Sequence, residues 1–343
     1  MPELQAEMKR VKARVDDLIL NQLLPKSSGV REVDLLYSMM RDYPSRQAKG
    51  MRPFLCVTAC KAAGGTEDDS LLTAACIELF QNWILIHDDI EDGSELRRGE
   101  PALHKKYSES LALNAGDALH ARTWEALLKN AVKLGPGRTV SVLEEFSRMV
   151  NMTTEGQHME LGWVAARRWD LGEKDYYAMC QRKTSWYTVA SPCRLGAIVA
   201  GAGGKVLGEL EEFGMALGVA FQIQDDALNL VGDQKKYGKA KSDDILEGKR
   251  TLILLHMLEE ADQEEKARVI EVMNKPRDAK TKEDVAYVLT MVDKYDAVGY
   301  ARKRAAELLK GALSTLEEIR WSGDRESVEM LASFARFAVE REW

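Results

Sequence analysis

Apolar residues recur every three or four positions along almost the whole chain, which is the spacing of one face of an α-helix. These periodic stretches are residues 4–24, 33–40, 71–90, 111–132, 140–161, 176–189, 207–231, 245–258, 285–292, 301–316 and 328–339. The alternation of apolar and polar residues that is typical of strands is scarce. The sequence therefore predicts an all-α fold.

The breaks between these stretches are short and rich in glycine, proline and serine. They lie at 25–29, 64–66, 135–137 and 201–204. None has the length or composition of an interdomain linker, so we expect residues 1–343 to form a single domain. With 343 residues and 45% apolar content the chain can bury a large core. Helices with such broad apolar faces predict a bundle of roughly ten or more helices around a deep central cavity.

Two clusters of acidic residues lie far apart in the chain and share helical spacing. Their members are Asp88, Asp89 and Asp92 in the first acidic cluster and Asp225, Asp226 and Asn229 in the second. Positions i and i+4 of a helix lie on the same face, so Asp88 projects with Asp92, and Asp225 with Asn229. Carboxylates at the ends of apolar helices repel each other unless a cation neutralises them. Mg²⁺ does this with oxygen ligands, and it shares its shell between carboxylates and substrate phosphates.

Basic residues accompany both acidic clusters. They are Arg97, Arg98, Lys239 and Lys249. A third basic element contains Lys49, Gly50 and Arg52 before Pro53, which is tolerated in the first turn of a helix, and a helix start favours anions. Arginine pairs hold phosphate oxygens through bidentate hydrogen bonds. Each motif alone is equally compatible with a solvated surface, whereas their combination predicts a site for a polyanion bridged by metal.

Charge and cysteine content narrow the class of protein. With 48 basic and 55 acidic residues the net charge is −7, which argues against generic nucleic-acid binding. Five scattered cysteines without a CxxC pattern predict reduced thiols in a cytoplasmic protein. The acidic N-terminus lacks the apolar core of a signal peptide, and no apolar run is long enough to span a bilayer.

Taken together, these elements resemble the trans-isoprenyl diphosphate synthases, the head-to-tail prenyltransferases. The resemblance extends from Lys49 to Thr251 and includes both aspartate-rich motifs in order, the basic KGMRP segment, the double arginine, the pair Lys183 and Thr184, and the FQxxDD and GK segments. It implies an all-helical bundle around a deep cavity, a homodimer and the use of three Mg²⁺ ions. It also implies two substrates, isopentenyl diphosphate and an allylic diphosphate, and a hydrophobic product that could bring the enzyme transiently to a membrane surface.

The resemblance also implies a role for individual residues. The direct metal ligands would be Asp88, Asp92 and Asp225. The carboxylates acting through water or behind these ligands would be Asp89, Asp226 and Asp244. The ligands of the allylic diphosphate would be Arg97, Lys183 and Lys239, with Lys249 close by. The residues binding isopentenyl diphosphate would be Lys49, Gly50, Arg52, Gln81 and Arg98. The side chains presenting oxygen to the developing cation would be Thr184 and Gln222.

The implied reaction begins with heterolysis of the allylic C–O bond, while metal and basic side chains stabilise the departing pyrophosphate. The carbocation needs a dry pocket, isopentenyl diphosphate attacks it through its double bond, and the released pyrophosphate accepts the proton. The sequence departs from the family pattern at a few positions. Gln47 and Ala48 replace two glycines, Asn229 replaces an aspartate, and Glu160 of the GQHME segment also replaces an aspartate. None of these changes removes a residue that carries an assigned role.

Residues one or more helical turns before Asp88 are expected to limit the length of the product. They are Phe80, Trp83 and Ile84. A bulky Trp83 favours geranylgeranyl diphosphate (C20), with farnesyl diphosphate (C15) close behind, whereas a Trp83 facing a neighbouring helix or a dimer partner would leave room for C25 or longer. Less favoured alternatives are a terpene cyclase, which would carry an NSE-type second metal motif, and a non-catalytic synthase subunit, which would have lost one of these motifs.

Overall fold

The computed structural model describes residues 2–231 and 242–341, and these are almost entirely helical. The α-helices are α1 (Pro2–Leu18), α2 (Arg31–Ser45), α3 (Met51–Ala62), α4 (Glu67–Glu91), α5 (Leu103–Lys106), α6 (Glu109–Leu128), α7 (Ala131–Ala165), α8 (Glu173–Cys180), α9 (Ser191–Ala200), α10 (Gly204–Val231), α11 (Asp243–Glu247), α12 (Leu252–Glu260), α13 (Gln263–Met273), α14 (Lys282–Lys294), α15 (Ala297–Glu318) and α16 (Arg325–Glu340). Ile19–Leu23 and Gln181–Ala190 are π-helical, and Arg277–Ala279 is a 3₁₀ turn. The predicted all-α fold is confirmed.

A two-stranded antiparallel hairpin interrupts the helices between α4 and α5. Its strands are β1 (Leu96–Arg97) and β2 (Glu100–Pro101). The sequence did not predict this hairpin, because strands of two residues are too short to show an alternation of apolar and polar residues. The predicted stretch 245–258 is divided into α11 and α12 at Gly248, whose φ of 74° ends α11. Helix α13 has no counterpart among the predicted stretches.

The chain divides into two compact units. The first unit contains Met1–Arg148, Tyr187–Glu211 and Glu318–Phe334, and the second contains Met149–Trp186, Glu212–Glu317 and Ala335–Trp343. The expectation of a single domain therefore stays a prediction. Each unit carries one of the two acidic clusters.

In the first unit, the apolar helix α3 packs between α9 and α4, and α4 packs on α6. A Cβ at Gly196 of α9 would lie 2.0 Å from the Cys56 carbonyl oxygen, so only glycine permits this approach of α9 to α3. Helix α4 begins with a capping box, in which the side chains of Thr66 and Asp69 each accept from the other's backbone NH. The long, well-capped α4 delivers the first acidic cluster to its C-terminal end.

In the second unit, α12 packs on α8 and α14, and α13 packs on α14. Thr251 caps the start of α12, and Thr281 forms a capping box with Asp284 at the start of α14. The five cysteines of the chain are buried free thiols. Among the described residues, no helix is both long and apolar enough to cross a membrane.

Candidate active site

The first acidic cluster lies at the C-terminal end of α4. Asp88 and Asp92 are half-buried, whereas Asp89 is fully buried. The Tyr43 hydroxyl donates to Asp89 Oδ2, and the Arg97 guanidinium donates to both Asp89 oxygens, with Nε 2.9 Å from Oδ1. Arg97 Nη2 also lies 3.2 Å from Asp88 Oδ2. Asp89 is therefore the carboxylate that holds Arg97 in place, while Asp88 and Asp92 are the ones partly open to solvent.

The hairpin that carries the arginine pair is fixed by Arg46. Its Nη1 donates to the Arg97 carbonyl at 2.7 Å, and its Nη2 donates to the Pro101 carbonyl at 2.9 Å. The guanidinium of Arg46 also covers the Tyr43 ring at 4.5 Å from its centroid. A hairpin of two residue pairs is too small to be stable alone, so these side-chain contacts set the position of the arginines.

Arg98 follows Arg97 with a φ of 55° and points into the first unit. Its Nη1 donates to the Tyr43 carbonyl at 2.7 Å and to Asn82 Oδ1 at 3.1 Å. Burial lowers the pKa of Arg98, and the positive charges of nearby arginines lower it further. The predicted Gln81 is half-buried on α4, and it is the adjacent Asn82 that contacts Arg98. A concentration of buried positive charge of this kind is stabilised when an anion binds.

The KGMRP segment leads into α3. Gly50 has a φ of 65°, a conformation that favours glycine, and Arg52 lies in the first turn of the helix. The Arg52 guanidinium covers the Tyr187 ring at 4.2 Å and donates to Thr188 Oγ1 at 2.9 Å. Its buried Nε has no hydrogen-bond partner in the described part of the chain. Lys49 is exposed, so the two cations differ in their contact with water.

The second acidic cluster lies toward the C-terminal end of α10 in the second unit. Asp225 is half-exposed, and Asp226 is buried. The Arg341 guanidinium donates through Nη2 to Asp225 Oδ1. A carboxylate that is partly open to solvent thus precedes a buried one, as in the first acidic cluster.

Asp226 is held by neutral hydrogen-bond donors. The Tyr176 hydroxyl donates to its Oδ2 at 2.7 Å, and Gln222 Nε2 donates to its Oδ1 at 2.7 Å. Burial raises the pKa of Asp226 well above its ordinary value, and the nearby charge of Asp244 raises it further. Its negative charge is therefore costly in the folded chain unless a cation binds nearby.

The start of α11 is hydrogen-bonded to the second acidic cluster. Asn229 Oδ1 accepts from the Asp244 backbone NH at 3.2 Å, so Asn229 also helps to fix the start of α11. Lys249 Nζ lies 2.6 Å from a Glu247 carboxylate oxygen and 3.9 Å from Asp244. Lys239 lies outside the described residues.

The pair Lys183 and Thr184 lies in the π-helical segment Gln181–Ala190. Lys183 Nζ donates to Glu160 Oε2, and the Thr184 hydroxyl donates to Gln222 Oε1 at 2.6 Å. A Cβ at Gly156 of α7 would lie 2.1 Å from the Lys183 backbone nitrogen, and one at Gly218 of α10 would lie 2.3 Å from the Ser185 Cα. Gly156 and Gly218 thus let α7 and α10 pack closely against the π-helical segment. Insertions of π-helical geometry are often found at functional sites.

The oxygen donors of both clusters suit a hard divalent cation. Within residues 2–231 and 242–341, no three histidine, cysteine, aspartate or glutamate side chains form a metal site by themselves. Mg²⁺ is commonly held by one or two carboxylates and completes its shell with water and substrate phosphates. Asp88 with Asp92, and Asp225, have the oxygen ligands and the partial exposure that such a site needs.

The residues predicted to limit product length lie on α4. Phe80 is fully buried and meets Trp83 edge-on at 5.2 Å between ring centroids. Trp83 is 7% exposed and stacks on His120 of α6, with 3.9 Å between the ring centroids. Its ring therefore faces a neighbouring helix, the orientation expected to leave room for a product of C25 or longer. Ile84 is half-buried. The role of these residues in product length stays a prediction.

The model of the family described as Polyprenyl synthetase matches residues 33–292. The chain belongs to the polyprenyl synthetase family. It is 35% identical over 297 residues to a short chain isoprenyl diphosphate synthase of Methanothermobacter thermautotrophicus, covering 86% of each chain. The prediction of an isoprenyl diphosphate synthase enzyme is confirmed.

Solved structures agree with this assignment. A geranylgeranyl pyrophosphate synthetase from Pyrococcus horikoshii superposes with a TM-score of 0.88 at 32% identity, covering 99% of each chain. A polyprenyl synthase from Caulobacter crescentus, solved with calcium and isoprenyl diphosphate, superposes with a TM-score of 0.82 at 28% identity, covering 98% of this chain and 95% of that one. The all-helical fold is thus shared along nearly the whole length.

Several residues that shape the site were missed by sequence reasoning. They are Tyr43, Arg46, Asn82, Tyr176 and Arg341. None belongs to a motif, and each reaches the site through tertiary contact. Glu160 was visible within the GQHME segment, but its partner Lys183 could not be inferred from spacing alone. Of the predicted site residues, contacts join Asp88, Asp89 and Arg97 in the first unit. In the second unit they join Thr184, Gln222 and Asp226.

Proposed function

We propose that the protein is a Mg²⁺-dependent head-to-tail prenyltransferase that joins isopentenyl diphosphate to an allylic diphosphate, with geranylgeranyl diphosphate as product. The observation that carries the proposal is the end of α4, where Asp88 and Asp92 stand beside the buried pair of Asp89 and Arg97. Carboxylates for metal and arginine for phosphate are thus combined at one helix end. The Caulobacter structure solved with calcium and isoprenyl diphosphate supports both ligand classes.

Asp88, Asp92 and Asp225 would bind Mg²⁺, and three ions are expected from the family. Bound Mg²⁺ supplies positive charge where charge develops on the departing pyrophosphate. Asp89 and Asp226 would not bind metal directly, because both are buried and both oxygens of each accept hydrogen bonds from tyrosine and other side chains. Their role would be to orient the side chains around the diphosphate, and Asp244 would share it.

The allylic diphosphate would be bound by Arg97, Lys183 and Lys239, with Lys249 nearby. The amino group of Lys183 is paired with Glu160, and Arg97 is paired with Asp89 and Asp88. These carboxylates restrict the rotation of the basic side chains, so less rotamer entropy would be lost when phosphate binds. Preorganised charge of this kind stabilises a leaving anion without rearrangement.

Isopentenyl diphosphate would be bound by Lys49, Arg52, Arg98 and Gln81. The buried arginines of the first unit interact unfavourably with each other, since the charge of Arg52 is among those that lower the pKa of Arg98. A diphosphate anion would remove that repulsion and would supply an acceptor for the Arg52 Nε, which lacks one among the described residues. Gly50 gives the chain the backbone turn that starts α3 beside this site.

The carbocation would be stabilised by oxygens of Thr184 and Gln222. The Gln222 amide donates to Asp226 and its oxygen accepts from Thr184, so the orientation of the amide is fixed. Neither residue is a strong base, and the released pyrophosphate would therefore accept the proton from the condensed product. Water must be excluded while the cation exists.

Product length would be limited by Phe80, Trp83 and Ile84, beneath the first acidic cluster. The stack on His120 and the edge contact with Phe80 fix the Trp83 ring against α6, the orientation expected to leave room for C25 or longer, so Trp83 does not by itself support a C20 product. The C20 product is supported instead by the likeness to the geranylgeranyl pyrophosphate synthetase of Pyrococcus horikoshii, with C15, or C25 and longer, as the alternatives.

A homodimer is proposed from an apolar surface of the first unit. Its exposed members are Leu111, Leu113, Leu128, Val132 and Val140. They lie on α6 and the start of α7, and Val132 is 94% exposed. The family resemblance implies the dimer, and these exposed side chains are the candidates for its contact. We further propose a cytoplasmic enzyme that contacts membranes only through its product.

The test is an elongation assay with purified protein, Mg²⁺, labelled isopentenyl diphosphate and each allylic primer in turn. The proposal predicts Mg²⁺-dependent formation of a C20 diphosphate. Release of a cyclic hydrocarbon without consumption of isopentenyl diphosphate would identify a terpene cyclase instead. Failure to elongate any primer would contradict the proposal.

A further inference from the structure

The last described residue, Arg341, lies along the face of α10 that carries the second acidic cluster. Its guanidinium covers the Phe221 ring at 4.2 Å, and its Nη2 donates to Asp225 Oδ1. The Arg341 backbone carbonyl accepts from Gln224 Nε2 at 2.6 Å. Positions 221, 224 and 225 lie on one face of a helix. Arg341 is therefore anchored at both its backbone and its side chain on a single turn of α10.

These contacts form a built site for the guanidinium. The Arg341 side chain is 3% exposed, whereas the Asp225 side chain is 29% exposed. The buried Nε of Arg341 has no hydrogen-bond partner among the described residues, so the contact with Asp225 is the main compensation for burying its charge. A guanidinium stacked on an aromatic ring is also restricted in its rotation. The arginine is thus the fixed member of the pair, and the carboxylate is held by it.

We propose that Arg341 is a positioning residue for Asp225, fixing the carboxylate in the orientation in which it binds Mg²⁺. This inference rests on the proposed function, because it takes Asp225 as a metal ligand. Carboxylates that bind metals are usually oriented by a hydrogen bond from a second residue, and loss of that residue typically weakens metal binding about 10-fold to 100-fold. The opposite possibility is that Arg341 competes with the metal for Asp225, in which case its removal would tighten binding.

The test compares Arg341→Gln, Arg341→Lys and Arg336→Gln with the wild type. Arg336 is an exposed arginine on α16, the helix that ends just before Arg341, and serves as the matched control. MgCl₂ is titrated calorimetrically into each full-length protein in the presence of inorganic pyrophosphate, and urea unfolding without metal checks that each variant is folded. We expect Arg341→Gln to raise the Kd for Mg²⁺ about tenfold. Arg341→Lys should give an intermediate value, because it keeps the charge but loses the planar group, and Arg336→Gln should match the wild type.

Kinetics provide a second readout. A positioning role predicts that Arg341→Gln raises the Mg²⁺ concentration for half-maximal rate and that excess Mg²⁺ restores most of kcat, which a merely structural defect would not allow. An unchanged or lowered Kd for Mg²⁺ in a folded Arg341→Gln protein would overturn the inference. If that variant is unfolded, an unchanged Kd in Arg341→Lys would overturn it. A wild type that binds no Mg²⁺ would instead contradict the proposed function itself.

Discussion

The two acidic clusters have the same plan but different counter-charges. In each, a partly exposed aspartate precedes a buried one, and the buried one accepts a hydrogen bond from a buried tyrosine, Tyr43 for Asp89 and Tyr176 for Asp226. Asp89 also forms a two-oxygen pair with Arg97. Among the described residues, Asp226 accepts hydrogen bonds only from neutral donors, and burial with a neighbouring carboxylate raises its pKa. Within residues 2–231 and 242–341, the buried aspartate of the first acidic cluster therefore has a charged partner, whereas that of the second has neutral ones.

The contacts of Asp89 and Arg97 tie the arginine hairpin to the end of α4. We therefore expect the first acidic cluster to stabilise its own unit. Because burial raises the pKa of Asp226, we expect the second acidic cluster to gain more from a bound cation.

The largest expected effect is on catalysis and should be produced by Asp88→Asn. The variant keeps the shape of the side chain but loses a charged metal ligand, so we expect kcat/KM to fall about a thousand-fold. Steady-state kinetics at saturating Mg²⁺ measure this. The control is Glu91→Gln, an exposed carboxylate on the same turn of α4, which should stay within about twofold of the wild type. Equal losses in both variants would mean that only the overall charge of this helix end matters.

Asp89→Asn should have the largest effect on stability. It leaves the Arg97 guanidinium buried with only Asp88 as a charged partner, which should cost about 3 kcal/mol of the free energy of unfolding. Urea denaturation in EDTA measures it. The double variant Asp89→Asn with Arg97→Met should recover part of the loss, because the unpaired charge is removed as well. Wild-type stability in Asp89→Asn would show that the ion pair does not hold the first unit together.

The matching change in the second cluster, Asp226→Asn, should have the opposite sign. Because the folded pKa of Asp226 is raised, the folded chain binds more protons than the unfolded chain between the two pKa values, and wild-type stability must fall as pH rises through that window. The amide carries no charge to bury. At pH 7 without metal the free energy of unfolding of the variant should therefore exceed that of the wild type by at least about 1 kcal/mol. Its advantage over the wild type should shrink as pH falls toward 4. If Asp226→Asn were less stable than the wild type, the expected difference between the two clusters would be contradicted.

The smallest effect on rate is expected from the aromatic residue that precedes each cluster. Trp83→Ala should shift the product toward longer chains, because the ring stacked on His120 is removed, while kcat changes only a few-fold. Phe221→Leu should leave product length unchanged and shift the Mg²⁺ dependence, because Phe221 supports Arg341. Chromatography of the dephosphorylated products distinguishes the two results. Unchanged chain length in Trp83→Ala would remove Trp83 from the account of product length.

Local patterns in the sequence predicted the helices and the ligands but not the residues that support them. The spacing of Asp88 and Asp92 is a property of one helix, and it can be read from five consecutive residues. The partners of the buried carboxylates come from distant parts of the chain: Tyr43 lies 46 positions from Asp89, and Tyr176 lies 50 positions from Asp226. No periodicity or motif encodes such contacts, because they depend on how whole helices pack. For the same reason the orientation of Trp83 toward α6 needed the structure.

The proposed function assigns Asp88 and Asp225 to Mg²⁺ binding in one and the same reaction. We would test this with a double-mutant cycle on kcat/KM that compares Asp88→Asn, Asp225→Asn and the combined variant. Residues that act as a unit give strongly non-additive losses, so the combined variant should be little slower than the slower single variant. Losses that simply multiply would contradict the account, because the two clusters would then contribute independently.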